Sequence, residues 1–339
     1  MGNRFPKQRA TIEDVAARAG VSKATVSKCL NPAGDYYVSR TTRRKIEDAI
    51  AELDYQPNAL AQSLTSQRTN AIGVLVASVA NPFYSELVAG VEDVAGPAQY
   101  TLLLGSSEGS ATREADLINS MIQRRVDGVV VSTATIKDRA VRRLVDAGVA
   151  VVVASREVAS PALDTVVIDN QDGGRLVGKH LQEHGHPRVT YLSGSLDIAP
   201  FRLRLDGIRS VYGERADVVE TTATDLETAT AQARVLLRAG SPPDAIFAAT
   251  DTMALGVLAA AGELGVSVPG ELAVIGFDDI WVSRMPGVAL TTVDSKAHAI
   301  GRTAAHLLTQ RLRTRGGDDP RPQRMVLRSD LVVRRSCGC

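Results

Sequence analysis

Cysteine, long apolar runs and recognisable catalytic motifs are what this 339-residue sequence has least of, and each scarcity excludes something. The three cysteines, Cys29, Cys337 and Cys339, are one early and two at the extreme end, which is no disulfide framework for a chain of this size and fits a reducing compartment. No run of roughly 18 apolar residues offers a transmembrane helix. The N-terminus, MGNRFPKQRA, is basic but lacks an apolar core and a small-residue cleavage site, so no secretory signal is read and the cytoplasm is the expected location. There is no G-x-G-x-x-G after the first apolar run, no P-loop, no H-E-x-x-H and no G-x-S-x-G. Catalysis therefore has no support, and neither an enzyme nor a cofactor is expected. Of five histidines, His180 and His184 stand at helical i, i+4 spacing, but no cysteine or carboxylate-rich partner flanks them in sequence. The terminal Cys-Gly-Cys likewise lacks a third ligand. The expectation is no metal site and a frayed, solvent-exposed tail.

An excess of one charge is also missing, since 39 Lys and Arg face 38 Asp and Glu, yet the charges are unevenly placed. Residues 1–70 carry 11 basic and 7 acidic residues, and within residues 1–45 the imbalance is 10 against 3. A basic head on a slightly acidic body is the footprint of a polyanion-binding domain, although a solvated basic face gives the same count.

The pattern within the head is more specific than its charge. Thr11, with Asp14 three residues on, reads as an N-cap, and Ile12, Val15, Ala16 and Ala19 fall at i, i+3, i+4, i+7, one buried stripe. Gly20 is placed to end that helix in a left-handed conformation, Val21 to plug the turn, and Ser22 to cap a second helix reaching Leu30, where Asn31-Pro32 stops it. Two short helices joined by a Gly turn make a helix-turn-helix. With Val26 and Leu30 facing inward, Lys23, Ala24, Ser27 and Lys28 share the outer surface that a DNA major groove would meet. Lysine can donate to guanine, Ala24 can lie against a thymine methyl, and Ser22 or Thr25 can bond phosphate. A third helix begins at Ser39 or Thr42, with Ile46, Ala49, Ile50 and Leu53 as its stripe and Arg40, Arg43, Arg44 and Lys45 along its first turns. After Tyr55 and Pro57, the segment Asn58 to Leu64 reads as a further short helix capped by Asn58, and isolated helices below about 12 residues are marginal in water. The polar linker TSQRTN follows.

From Ala71 onward, apolar runs alternate with amphipathic helical stretches. The runs are AIGVLVA, YTLLLGS, DGVVVS, VAVVVAS, TVVIDN, VTYLSG, DAIFAAT and ELAVIGFDD. Buried strands separated by helices mean parallel α/β sheets, and about four strands before Asp169 and four after suggest two open-sheet lobes. In such sheets ligands bind beyond the carboxyl ends of the strands. The residues that follow the strands are Ser78 with Asn81, Phe83 and Tyr84; Ser106; Ser132; Ser155 with Arg156; Asp169; Thr250 with Asp251; and Asp278 with Asp279. This set of hydroxyls, carboxylates, arginine and aromatics suits a small polar ligand such as a sugar or nucleobase. Asp251 can equally cap the following helix, Asp279 can be a turn residue, and Phe83 after Pro82 can be core.

TIEDVAARAGVSKATVSKCLN, then VSRTTRRKIEDAIAELDYQPNALAQSL, then the body runs in this order closely resemble the LacI/GalR family of bacterial transcription regulators, from Thr11 to Arg335. The resemblance implies an all-α helix-turn-helix head with a hinge helix, joined to an α/β body of two parallel-sheet lobes in the type I periplasmic-binding-protein-like fold with three crossovers. It places the head at 1–57, the hinge helix and linker at 58–70 and the body at 71–339. Lobe 1 would then take about 71–168 plus about 295–325, and lobe 2 about 169–294 plus a final strand near 323–333. It puts Lys23, Ala24 and Lys28 at base-reading positions and makes Leu64 a minor-groove wedge once two hinges pair. The DNA-contacting candidates are thus Thr11, Ser22, Lys23, Ala24, Thr25, Ser27, Lys28, Asn31, Tyr55, Asn58 and Leu64. The resemblance also puts Arg204 and Asp278 at effector-holding positions and Phe83 and Tyr84 at the pocket wall. The effector candidates are Ser78, Phe83, Tyr84, Ser132, Arg156, Arg204, Thr250 and Asp278.

Three departures stand out: Lys28 where the family often has Arg, Ser155-Arg156 where it often has Asp-Arg, and Thr250-Asp251 where it often has Asn-Asp. The implied function is a homodimeric, nucleoid-associated repressor of double-stranded operator DNA under small-molecule control, with no membrane partner. A binding protein for transport or sensing, and control by a protein corepressor docking on the body, are the alternatives.

Overall fold

The computed structural model describes residues 10–30, 38–56, 68–133, 139–156, 162–314 and 321–338. The hinge segment 58–64, with Asn58 and Leu64, lies outside them, as do Asn31 and Cys339. The chain divides into two compact units, Met1–Thr69 and Asn70–Cys339.

Three helices build the head: α1 (Ile12–Ala19), α2 (Lys23–Leu30) and α3 (Arg40–Leu53). The first opens with a full capping box. Thr11 Oγ1 accepts from the Asp14 N–H at 3.3 Å, and Asp14 Oδ2 accepts from the Thr11 N–H at 2.8 Å, so two of the helix's orphan donors are satisfied. Gly20 takes φ 66°, a conformation that strains any side chain bearing a Cβ, and its N–H closes back on the last turn. Ser22 receives the Thr25 N–H at 3.2 Å, and Ser39 that of Thr42 at the same distance. The third helix is therefore capped by Ser39. Val15, Ala16, Ala19, Val26, Ile46 and Ala49 are the buried centre, with Leu30, Ile50, Leu53 and Tyr55 packed round it.

The body holds helices α4 (Pro82–Ala95), α5 (Ala111–Gln123), α6 (Ala140–Asp146), α7 (Asn170–Glu183), α8 (Ala199–Tyr212), α9 (Leu226–Leu237), α10 (Asp251–Leu264) and α11 (Ala297–Thr314). Its first sheet contains β1 (Ala71–Val76), β2 (Thr101–Ser106), β3 (Gly128–Ser132), β4 (Ala150–Ala154), β5 (Asp164–Ile168) and β11 (Arg324–Leu327), all parallel, in the order β11-β5-β4-β3-β1-β2. The second contains β6 (Val189–Ser193), β7 (Ala216–Glu220), β8 (Ala245–Ala248), β9 (Ala273–Asp278), β10 (Thr291–Asp294) and β12 (Asp330–Val332), in the order β12-β10-β9-β8-β6-β7. Only β12 runs antiparallel there. The chain passes between sheets three times: after β5, before α11 (which packs on α4, β4 and β5), and between β11 and β12.

Each sheet thus has six strands rather than four. The apolar-run reading missed β7, an edge strand whose Asp217 is exposed, and β10, a four-residue strand carrying two threonines. Neither is a continuous apolar run, because an edge buries less and a short strand can bury hydroxyls that find partners. The expected final strand is two strands of three or four residues, one in each sheet.

The tail departs from expectation too. Ser336 and Cys337 are buried, the latter at 2 % exposure, with Ser336 Oγ donating to Val274 O and accepting from the Thr291 N–H at 2.8 Å. Cys337 Sγ lies 3.4 Å from His180 Nε2, so a histidine does neighbour the terminal thiol. The sequence could not show this because 157 residues separate the two. Among the described residues no group of three His, Cys, Asp or Glu could hold a metal ion.

Candidate functional site

Two surfaces carry the chemistry. On the head, Ser22, Lys23, Ala24, Ser27 and Lys28 are exposed along the outer face of α2, while Val26 on the opposite side is fully buried. Burial of Val26 in the three-helix core fixes the rotation of α2 and so decides which side chains look outward. Lys23 Nζ pairs with Glu13 on α1 and holds that carboxyl below its usual range. Both groups are more than half exposed, so the pair is weak in water and can exchange for a phosphate or base edge. Thr11 is engaged in its capping box, Thr25 shares a hydrogen bond of 2.8 Å with Ser22, and Tyr55 packs against the head's core.

On the body, the carboxyl ends of β1 to β5 and β6 to β10 bring most of the effector candidates to the mouths of the two sheets. In lobe 1, Ser132 and Ser155 hydroxyls meet at 2.6 Å, Ser155 standing at φ 60°. Phe83 and Tyr84 are both buried and meet edge to face, ring centroids 5.0 Å apart, and the Tyr84 hydroxyl accepts from Arg156 Nη2 at 3.3 Å. The pair belongs to the core and also turns one phenol outward to an arginine. Ser78 Oγ donates to Glu108 at 2.7 Å, and Ser106 Oγ donates to the same carboxylate. These hydroxyls, Ser106 first, hold Glu108 below its ordinary pKa, so a charged carboxylate occupies the position where free serines were expected. Sequence reading missed Glu108 because it falls two residues beyond the strand end, in a turn at φ 46°.

In lobe 2, Arg204 is buried on α8 and spread between neutral partners. Its Nε donates to Asn170 Oδ1 at 2.9 Å, its Nη1 donates to Ala249 O, and its guanidinium carbon lies 3.4 Å from the Phe277 ring centroid. Burial first lowers its pKa, with Asp278 opposing. Asn170 was also missed, since it reads as an ordinary first-turn residue of α7. Asp278 ends β9 at φ 128°, nearly buried, and burial raises its carboxyl well above the ordinary value, with Arg204 pulling the other way.

Thr250 and Asp251 both have partners within their own lobe. Thr250 Oγ1 accepts the Met253 N–H at 3.2 Å and is the cap of α10, while Asp251 is wholly buried. Asp251 Oδ2 accepts from the Ile280 N–H at 2.9 Å and from Ser283 Oγ at 2.6 Å, and Oδ1 accepts from Thr292 Oγ1. It therefore pins the segment leading away from Asp278. Asp279 is ion-paired with Arg334 at 2.6 Å and with Arg284 at 3.1 Å. Ser132, Tyr84 and Arg156 belong to one lobe and Arg204 and Asp278 to the other, and Asp278, Tyr84 and Arg156 are among the groups whose charge bears on Arg204.

Known proteins match both units. Residues 11–58 match the family described as Bacterial regulatory proteins, lacI family, and residues 72–316 match the Periplasmic binding protein domain. Catabolite control protein A of Priestia megaterium is 33% identical over 308 residues, 88% of this chain and 92% of that one. The crystal structure of the lac repressor dimer bound to operator and the anti-inducer ONPF superposes with a TM-score of 0.83 at 28% identity, covering 97% of this chain and 99% of that one. The transcriptional regulator CelR–cellobiose complex does so at 0.71 with 31% identity, covering 97% and 100%. On head, body and their order together, this chain belongs to the LacI family of bacterial regulatory proteins.

Proposed function

We propose that the chain is a cytoplasmic transcriptional repressor that binds operator DNA as a homodimer and is controlled by a small polar effector held between the two lobes. The observation that carries the DNA half is the exposed Lys23, Ala24, Ser27 and Lys28 face of a second helix whose first turn Ser22 caps. Such a face enters a major groove with its first residues at the base edges, and Arg40, Arg43, Arg44 and Lys45, all exposed at the start of α3, supply phosphate contacts. Similarity to a repressor solved on its operator supports both the DNA and the dimer. The effector half is supported by Arg156 with Tyr84 beyond the strand ends of one sheet and Asp278 with Arg204 at those of the other, and by a structural relative solved with cellobiose. A ligand touching both lobes favours one lobe arrangement over another, and that difference in affinity is what can change the hold on DNA.

Selection of bound sequences from a random duplex library, with the purified full chain near physiological salt, tests this reading. The expected result is a near-palindromic motif whose half-sites are spaced for two heads. Recovery of no motif, from protein whose body still binds a sugar or nucleoside, would replace the repressor with a binding protein.

A further inference from the structure

The body's two lobes are joined by three very short crossovers. Asp169 alone separates β5 from α7, Ser295 and Lys296 separate β10 from α11, and Arg328 and Ser329 separate β11 from β12. Connections this short hold little slack, so a change in the angle between the lobes has to be taken up by the backbone at or beside these positions.

The second and third crossovers meet on one rung of the second sheet. Asp294, the last residue of β10, stands directly opposite Asp330, the first of β12, in an antiparallel pair. Two carboxylates facing each other across a ladder repel and tend to part the strands. Lys296 Nζ sits between them, 2.7 Å from Asp294 Oδ2 and 2.8 Å from Asp330 Oδ2, and the Lys296 N–H donates to Asp294 Oδ1 at 2.8 Å. Lys296 takes φ 55°, a left-handed conformation that glycine or asparagine adopts more readily, so what a lysine adds at this position is its side chain.

The first crossover is tied to the third. The Asp169 N–H donates to Leu327 O at 2.9 Å, and Ser329 Oγ donates to Asp169 O at 3.2 Å. Both effector candidates of lobe 2 hang on these ties. Ser295 Oγ donates to the Asp278 carbonyl at 3.1 Å, and Asn170, next to Asp169, accepts from Arg204 Nε at 2.9 Å.

We infer that Lys296 is an ionic latch that joins the three crossovers into a single interlobe hinge. By neutralising Asp294 and Asp330 together, it keeps their rung closed, and through Ser329 and Asp169 the closed rung makes all three connections turn as one. A single hinge gives the lobes one path of closure. A ligand that draws on Asp278 and Arg204 then moves lobe 1, and with it the linker that leaves at Ala71, along that path. The latch lies wholly within the body and holds whatever the cleft or the head binds.

Native-state hydrogen exchange of the purified full chain, read on peptides covering residues 165–175, 290–300 and 324–334, tests it. Lys296→Met keeps most of the stem and loses the charge. It should exchange about two- to tenfold faster at all three crossovers, the size of two partly exposed ion pairs, whereas Lys296→Arg exchanges as the parent does. Adding Asp330→Asn to Lys296→Met removes the opposed charge and should return exchange towards the parent rates, which a purely steric role for the lysine would not produce. Faster exchange at the second and third crossovers with the first unchanged overturns the single hinge. No change in Lys296→Met, or no recovery in the double variant, overturns the latch. Operator selection with the parent chain reads the repressor assignment separately.

Discussion

At the scale of single residues, Lys28 and Asp251 make the sharpest tests. Lys28 is exposed in the middle of the outward face of α2. Lys28→Ala is expected to abolish discrimination at one operator position, about 1–3 kcal/mol between the right and wrong base. Affinities for a set of single-base operator variants would show it, and an equal loss on every sequence would make Lys28 a phosphate contact instead.

Asp251 is a buried acid whose carboxyl is pushed up to about 6 by burial, against hydrogen bonds from Ser283, Thr292 and the Ile280 N–H. Because the folded value lies above the ordinary 3.8, the native protein keeps a proton that the unfolded chain releases between these two values. The stabilisation from that proton is complete below pH 3.8 and is lost as pH rises through about 6. Denaturant titrations across this range should give a difference between the parent and Asp251→Asn that changes from pH 4 to 6 and is flat above. A pH-independent difference would mean that Asp251 titrates normally.

At the scale of elements, glycine sets how closely the paired helices approach. In lobe 1 a Cβ on Gly90 would overlap the His298 carbonyl and one on Gly301 the Leu87 carbonyl, so α4 and α11 touch backbone to backbone. In lobe 2, Gly174 meets the Arg204 carbonyl and Gly207 the Gln171 carbonyl, which brings α7 and α8 together in the same way. That second contact bears on the site, because Asn170 on α7 receives Arg204 from α8 only at this separation. Gly301→Ala should destabilise the body by about 1–3 kcal/mol, the usual cost of overpacking, measured as a lower melting temperature. An unchanged melting temperature would show that the helices can part freely. Capping was legible from residue types alone at α1, where Thr11 and Asp14 use only neighbours in the chain. The strands β7 and β10 were not, since an edge position and a hydroxyl-lined core are properties of the sheet around them.

At the scale of the whole molecule, the head and the body are separate compact units with cores of very different size. Among the described residues the head's core has six buried apolar side chains, too little for high stability by itself. Calorimetry should therefore resolve two transitions, a lower one for the head and an upper one for the body, with Gly301→Ala moving the upper alone. A single transition shifted as a whole by Gly301→Ala would mean that the units unfold together.

The sequence by itself determined the local and periodic features: the helix-turn-helix with its N-terminal caps, the outward face of α2, the α/β body, and the strand end where Asp278 stands. These follow from contacts within a turn or from the alternation of buried strands with helices, and both repeat over short spans of chain. Only the tertiary structure decided which candidates are still open to a ligand. It spent Thr250 on a cap, enclosed Asp251, filled the Ser78–Ser106 gap with Glu108 and set Cys337 against His180. Each of these depends on desolvation or on a partner far away in the chain. Whether a polar side chain is spent or available is decided by what folds against it, which neither its identity nor its neighbours in sequence record.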